Sequence, residues 1–309
     1  MIKKIILIIT SLLAVALYAT NENMGTTGFS FLKMNYSARA LGMGNAFTGH
    51  SDDGDAVFFN PAGLTQTNTR HLKTTLMNYI QGMNGGSLVY STDYSEDWKI
   101  SPFLQFLVSN GIEKRDVDNV AHGTFHTSNI LAGIGFAKTL NEVLDVGFNI
   151  KYLIEKLDDS SATAAFFDIG ILHTTQNKNL KIGAAFKNVG MQITYFSASN
   201  YKEKMPMMLV GGASYNILDR ATINLDVCSP INEDYYGKVG AEFQVNPVLT
   251  LRAGVDTRMN DYRADQTFDI FSGIAFGLGF VWNEYIIDFA TASMGNLGLV
   301  NQISLTYRF

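Results

Sequence analysis

Residues 299–309, LVNQISLTYRF, alternate with a period of two and so restrict what the chain can fold into. Leu299, Asn301, Ile303, Leu305, Tyr307 and Phe309 fall on one side of an extended strand. Val300, Gln302, Ser304, Thr306 and Arg308 fall on the other. Successive side chains of a strand point to opposite faces, so one face is mostly apolar and the other polar. An exposed strand edge carrying Tyr-x-Phe invites aggregation in water. As the closing strand of a transmembrane barrel, the same residues set an aromatic girdle against lipid.

Composition agrees with that solution. Charged residues make up 17% of the chain, against about 25% in ordinary soluble domains. The 28 Gly, 12% aromatic residues and only 5 Pro suit many strands joined by turns. The start resembles a secretory signal: Lys3 and Lys4, an apolar Ile5 to Leu17 run, and small Ala19. Residues 1–19 are therefore expected to be a signal peptide, and without Lys3 and Lys4 the formal net charge moves from −5 to −7. An acidic chain with no basic tract argues against nucleic acid as a partner. Beyond residue 19 no apolar run is long enough for a membrane helix, so a membrane location requires a closed barrel. The single cysteine, Cys228, excludes an intrachain disulfide framework.

Residues 20–70 lack a strand period. They hold a small-residue stretch from Ser37 to Thr48, an acidic turn at Asp52-Asp53-Gly54-Asp55, and Ala56 to Leu64. So small and glycine-rich a segment cannot form its own core and is expected to pack inside something else. From His71 onward the pattern predicts fourteen strands at 71–80, 85–93, 98–109, 124–139, 142–156, 161–174, 180–189, 205–217, 219–228, 235–246, 247–257, 267–280, 283–292 and 299–309. Tight links follow the even strands and most long links follow the odd ones, notably 110–123, 190–204, 258–266 and 293–298. Short turns at one end and longer loops at the other are what a transmembrane barrel shows. The fold class is thus all-β: an antiparallel transmembrane barrel over 71–309 with an N-terminal hatch, residues 20–70, in its lumen.

Alternation also sorts the charges. Lys151, Lys181, Lys187, Asp226, Lys238, Glu242, Arg252, Asp256, Glu284, Asp288 and Arg308 fall on the polar faces. Facing lipid, an Arg or Lys costs about 2–4 kcal/mol at the midplane, so this face is expected to line a hydrated lumen. Lys151, Lys187, Asp226, Glu242, Arg252, Asp256, Asp288 and Arg308 are the candidates for a lumenal charge network.

The stretch Ala38-Arg-Ala-Leu-Gly-Met-Gly-Asn-Ala-Phe47, with Asp52-Asp53 and Asn60-Pro-Ala-Gly-Leu64, resembles the N-terminal signature of the PorV/PorQ family. These are outer-membrane barrels related to the FadL long-chain fatty acid transporters. The likeness extends to Ile112-Glu-Lys-Arg-Asp116, Lys151-Tyr-x-x-Glu-Lys156, Gly295-Asn-Leu-Gly298 and the closing strand. It implies a fourteen-stranded barrel in the outer membrane whose hatch is seated by Asn60, Pro61 and Ala62, with Arg39, Asp52 and Asp53 in the same signature. Pro61 restricts Asn60 to extended backbone, and the Asn60 amide can satisfy irregular backbone nearby. The implied partners are outer-membrane lipid and lipopolysaccharide, around a monomeric barrel within a larger complex.

Two functions follow from the resemblance. PorV-like members take part in type IX protein secretion and surface attachment by binding partner proteins. FadL-like members pass hydrophobic solutes. The first is the main expectation and the second its alternative, with Phe58, Phe59 and Met43 as candidate lining of a greasy path. No catalysis and no cofactor is expected, because no nucleophile, base and orienting group cluster in the sequence. His122 and His126 read as ordinary loop histidines. Asp52, Asp53 and Asp55 lack the full calcium-loop spacing and read as a turn cap or as partners for lumenal Lys and Arg.

Overall fold

The alternating segments pair into a closed antiparallel cylinder, and the computed structural model describes it over residues 26–67, 70–176, 178–196, 201–258 and 271–309. The strands are β1 (His71–Asn78), β2 (Asn84–Asp93), β3 (Trp98–Val108), β4 (Ile112–Arg115), β5 (Ala121–Phe125), β6 (Thr127–Asn141), β7 (Leu144–Leu157) and β8 (Ser160–Thr174). The remainder are β9 (Leu180–Thr194), β10 (Met208–Leu218), β11 (Ala221–Pro230), β12 (Tyr236–Gln244), β13 (Leu249–Asp256), β14 (Ile274–Trp282), β15 (Tyr285–Ser293) and β16 (Leu299–Arg308). Fourteen of them close the barrel in sequence order, and β16 returns to β1 from His71↔Arg308 to Asn78↔Asn301. Closure removes the free edges that a membrane would not tolerate.

The other two strands, β4 and β5, form a separate hairpin that fills the expected 110–123 loop and takes Thr124 and Phe125 from the strand expected at 124–139, so that β6 starts at Thr127. Strand nine runs to Thr194 rather than 189 because a bulge lets it continue: Asn188 takes φ 60° while the register against β8 shifts between Phe167 and Ile169. The signal segment 1–19 and residues 259–270, where part of one long loop and the start of strand 267–280 were expected, lie outside the described residues.

Both faces follow the alternation. Ile150, Ile169, Ile182, Leu251, Ile303 and Leu305 are exposed on the outside, while Asn149, Lys151, Asp168, Arg252, Gln302 and Ser304 are buried inside. An aromatic belt rims the short-turn end. Trp282, Tyr285, Tyr307, Phe309 and Tyr90 follow one another with centroid spacings of 6.2, 5.0, 4.7 and 6.4 Å. Such belts sit where a barrel crosses from hydrocarbon to headgroups. Glu284 departs from the expected lumenal set: it is exposed in the two-residue turn between β14 and β15.

The lumen is filled by residues 26–67. The segment folds as short helices α1 (Ala38–Gly42) and α2 (Ala56–Phe59), with 3-10 turns at Ser30–Lys33 and Pro61–Gln66. Most of these residues are buried against inward-facing wall residues. Wall glycines permit the approach. A Cβ at Gly147 would lie 2.5 Å from Ala62 N, and one at Gly277 would lie 2.9 Å from Gly42 Cα. Gly170, Gly183, Gly212, Gly240 and Gly254 meet the segment in the same way.

Candidate functional site

The inner segment divides the lumen, and its own sequence explains how. Ser37 Oγ accepts the Ala40 N–H at 3.1 Å and starts α1. The helix ends after one turn at Gly44 and Asn45, both left-handed (φ 61° and 60°), where glycine and asparagine are tolerated best. The chain then folds back, and Asp226 of β11 accepts the Phe47 and Thr48 N–H groups, each at 3.0 Å. A carboxylate with two backbone donors is a stable anchor for irregular chain.

Asn60 and Pro61 seat the next stretch. Asn60 Oδ1 accepts the Ala62 N–H at 3.2 Å, while its Nδ2 donates to Thr48 O at 3.1 Å and Ile171 O at 2.9 Å. One side chain therefore caps a turn, ties it to the preceding loop and fixes both to β8. Pro61 occupies the first position of the 3-10 turn, where its missing N–H costs nothing. Ala62 packs against Gly147, where a larger residue would collide.

Arg39 makes the densest charged contact between segment and wall. Its guanidinium donates to Asp52 at 2.7 Å, Asp53 at 3.3 Å and Glu242 of β12 at 2.9 Å. Arg252 of β13 in turn binds Glu242 at 2.6 Å and Asp288 of β15 at 2.7 Å. Lys73 of β1 pairs with Asp53 at 3.1 Å and with Asp55. Burial alone would raise Asp53, but Lys73 and Arg39 hold its carboxyl well below the usual range. Burial pushes Asp55 up to about 6; the neighbouring Asp53 charge adds to the rise and Lys73 opposes it.

His50 completes this cluster. Burial, with the Arg39 charge, lowers its pKa despite the pull of Asp52, so the ring is neutral at pH 7. Nε2 lies 3.0 Å from Arg39 and Nδ1 lies 3.0 Å from Ser214. Arginine only donates, so Nε2 accepts and the proton sits on Nδ1.

The expected lumenal network is thus several local knots. Glu242, Arg252 and Asp288 belong to the Arg39 cluster. Lys151 pairs with Asp168 at 2.6 Å, and Lys187 donates to Phe58 O. Asp256 faces Arg258 at 3.8 Å. Arg308 stands apart at the short-turn rim and donates to Asn283 O at 3.1 Å, because its position next to the strand terminus points it past the ion pairs. Asp55, read from the sequence as a turn cap or a partner for lumenal Lys and Arg, pairs with Lys73. Lys73, Asp168 and His50 escaped the sequence reading; alternation within 71–80 and 161–174 was the available signal for Lys73 and Asp168. Met43, Phe58 and Phe59 are core packing and not path lining: Phe58 stacks edge-on to Phe103 and Phe59 to Phe47. His122 pairs with Asp116, His126 lies against Ser109 O, and the described residues hold no cluster of three His, Cys, Asp or Glu suited to a metal. Buried Cys228 lies on the lumen side against Val210 and Tyr236.

A chamber lies on each side of the segment. The inner one, at the short-turn end, has about 460 Å³ lined by Arg39, Asp53, Lys73, Arg252, Asp288 and Arg308. A lobe of about 330 Å³ adds His50, Lys181 and Ser214 and shares Arg39 and Glu242. The outer chamber, at the long-loop end, has about 440 Å³. Its wall is largely apolar: Phe31, Met34, Leu41, Met77, Met83 and Met294 line it together with Leu107 and Val300. Unbranched methionine side chains adapt to ligands of different shape. Arg39 faces the inner chamber and Leu41 the outer one, so the single turn of α1 separates charge from grease.

No known family model matches the chain, and no curated protein sequence matches it. Solved structures do. The toluene transporter TodX of Pseudomonas putida superposes with TM-score 0.63 at 14% identity, covering 88% of this chain and 96% of that one. The monoaromatic hydrocarbon channel CymD superposes with TM-score 0.64 at 13% identity, covering 89% and 98%. A FadL homologue from Pseudomonas aeruginosa superposes with TM-score 0.58 at 14% identity, covering 89% and 99%. The fold is therefore a FadL-like barrel.

Proposed function

We propose that this FadL-like barrel lies in an outer membrane and passes hydrophobic small molecules from the long-loop side inward, with residues 26–67 as the hatch that gates them. The observation that carries this reading is the Met-rich apolar chamber at the long-loop end, closed off from the charged inner chamber by one turn of helix. Its roughly 440 Å³ falls within the ~300–1,000 Å³ usual for small-molecule sites. An apolar solute gains about 25 cal/mol per Å² on leaving water for such a wall. The charged inner chamber offers no such gain, so inward release gives it back and net passage must follow the solute's concentration gradient once the hatch moves. Two of the similar structures are a toluene transporter and a monoaromatic hydrocarbon channel, which supports the same reading.

The secretion role implied by the PorV/PorQ resemblance has no such support, and solute passage takes its place as the preferred function. The test is flux of radiolabelled toluene across planar bilayers with one leaflet of lipopolysaccharide, which slows apolar solutes, with and without the folded protein. Passage predicts saturable flux above the protein-free membrane and above one holding heat-unfolded protein. Flux equal to that of the protein-free membrane would refute it.

A further inference from the structure

The outer chamber is not purely apolar, and two of its polar side chains are amides buried in the wall. Gln302 of β16 is 2% exposed and Asn45 is 5% exposed, and both line the chamber. Gln302 Nε2 donates to Asn35 O at 2.8 Å, which fixes the amide orientation. Its Oε1, and the Oδ1 of Asn45, have no hydrogen-bond partner among the described residues. Both are acceptors.

Two cations and two carboxylates, Lys33, Arg258, Glu155 and Glu233, also stand in the wall. Lys33 pairs with Glu233 and Arg258 with Asp256, so both cations are engaged. Glu155 of β7 also lines the chamber. A carboxylate entering here meets amide oxygens that cannot donate to it and cations that already hold carboxylates, which is unfavourable in a partly desolvated site.

We infer that the outer chamber selects apolar molecules bearing a neutral hydrogen-bond donor, with the Gln302 and Asn45 amide oxygens accepting a hydroxyl while Met34, Met77, Met83 and Met294 hold the apolar body. This rests on the solute-passage reading and narrows it to hydroxylated apolar molecules over bare hydrocarbons and carboxylates. A buried acceptor left without a donor is costly, so a molecule that supplies one gains over an isostere that cannot.

The test is equilibrium dialysis of the full-length protein in detergent against toluene, 4-methylphenol, 4-methylanisole and 4-methylbenzoate. The wild type should bind 4-methylphenol about tenfold more tightly than 4-methylanisole, which keeps the oxygen but loses the donor. Gln302→Met should reduce that preference to under about threefold. Asn45→Gly, which suits the left-handed backbone, should reduce it independently. Equal wild-type affinity for the phenol and the anisole overturns the inference with no variant needed. Tightest binding of 4-methylbenzoate overturns it too. Toluene bound as well as the phenol leaves solute passage intact and refutes only the selectivity, whereas no binding of any probe refutes both.

Discussion

Replacing Arg39 with alanine tests whether charge holds the inner segment in place. The side chain is 16% exposed and serves Asp52, Asp53 and Glu242 at 2.7, 3.3 and 2.9 Å. Removing one partner of a buried ion pair costs about 3–5 kcal/mol, because the other charge is stranded. Here the loss is shared unequally. Asp53 keeps Lys73 at 3.1 Å and Glu242 keeps Arg252 at 2.6 Å, so Asp52 is the carboxylate left without a cation. Asp52 is 30% exposed, and water relieves part of its cost. The expected destabilisation is therefore about 3 kcal/mol, the low end of that range. The backbone ladder does not include Arg39, so the loss falls on seating of the segment and not on the barrel. At about 1.4 kcal/mol per power of ten, the unseated population rises by roughly two orders of magnitude. Amide exchange in residues 38–66 should lose protection by about 100-fold, with strand protection and heat-modifiable migration unchanged. Planar-bilayer recordings should show more frequent openings. Arg39→Lys should fall between, since lysine keeps the charge and loses the fork. Unchanged protection of residues 38–66 in a folded Arg39→Ala protein would refute the latch.

Three further predictions concern the same seating. Asn60→Ala removes hydrogen bonds to Ala62, Thr48 and Ile171 and should cost about 1–3 kcal/mol, read as raised single-channel conductance and faster exchange near residue 60. Gly147→Ala sets a Cβ 2.5 Å from Ala62 N and should cost about 1–3 kcal/mol of seating while the barrel still forms, checked by exchange against heat-modified migration. Acidity should act in two stages. Asp55, at about 6 against an ordinary 3.8, takes up a proton on seating, so its contribution grows as pH falls from above 6 toward 4. Asp53 is shifted the other way, so its contribution is present above 3.8 and is lost as pH falls further. Protection of residues 52–59 should thus peak in mild acid; a monotonic decline from pH 8 to 4 would count against the Asp55 assignment.

The barrel was legible because its signal is local. A strand needs only its neighbours two residues away to declare its faces, so Ile303 and Leu305 outside and Gln302 and Ser304 inside could be read directly. Closure also left its trace, since short turns and long loops fall at opposite ends whatever the side chains do. Pro61 marked Asn60 as extended through its own backbone preference, as found. None of these features names the partners of a charge. Arg39 meets Glu242 across 203 residues and Gln302 meets Asn35 across 267, and such pairs exist only once the wall has curved into a cylinder around the segment. Alternation put Arg308 on the lumen face yet could not tell that it lies at the rim. Likewise, methionines scattered from Met34 to Met294 become one apolar chamber only when the closed barrel brings its far strands together.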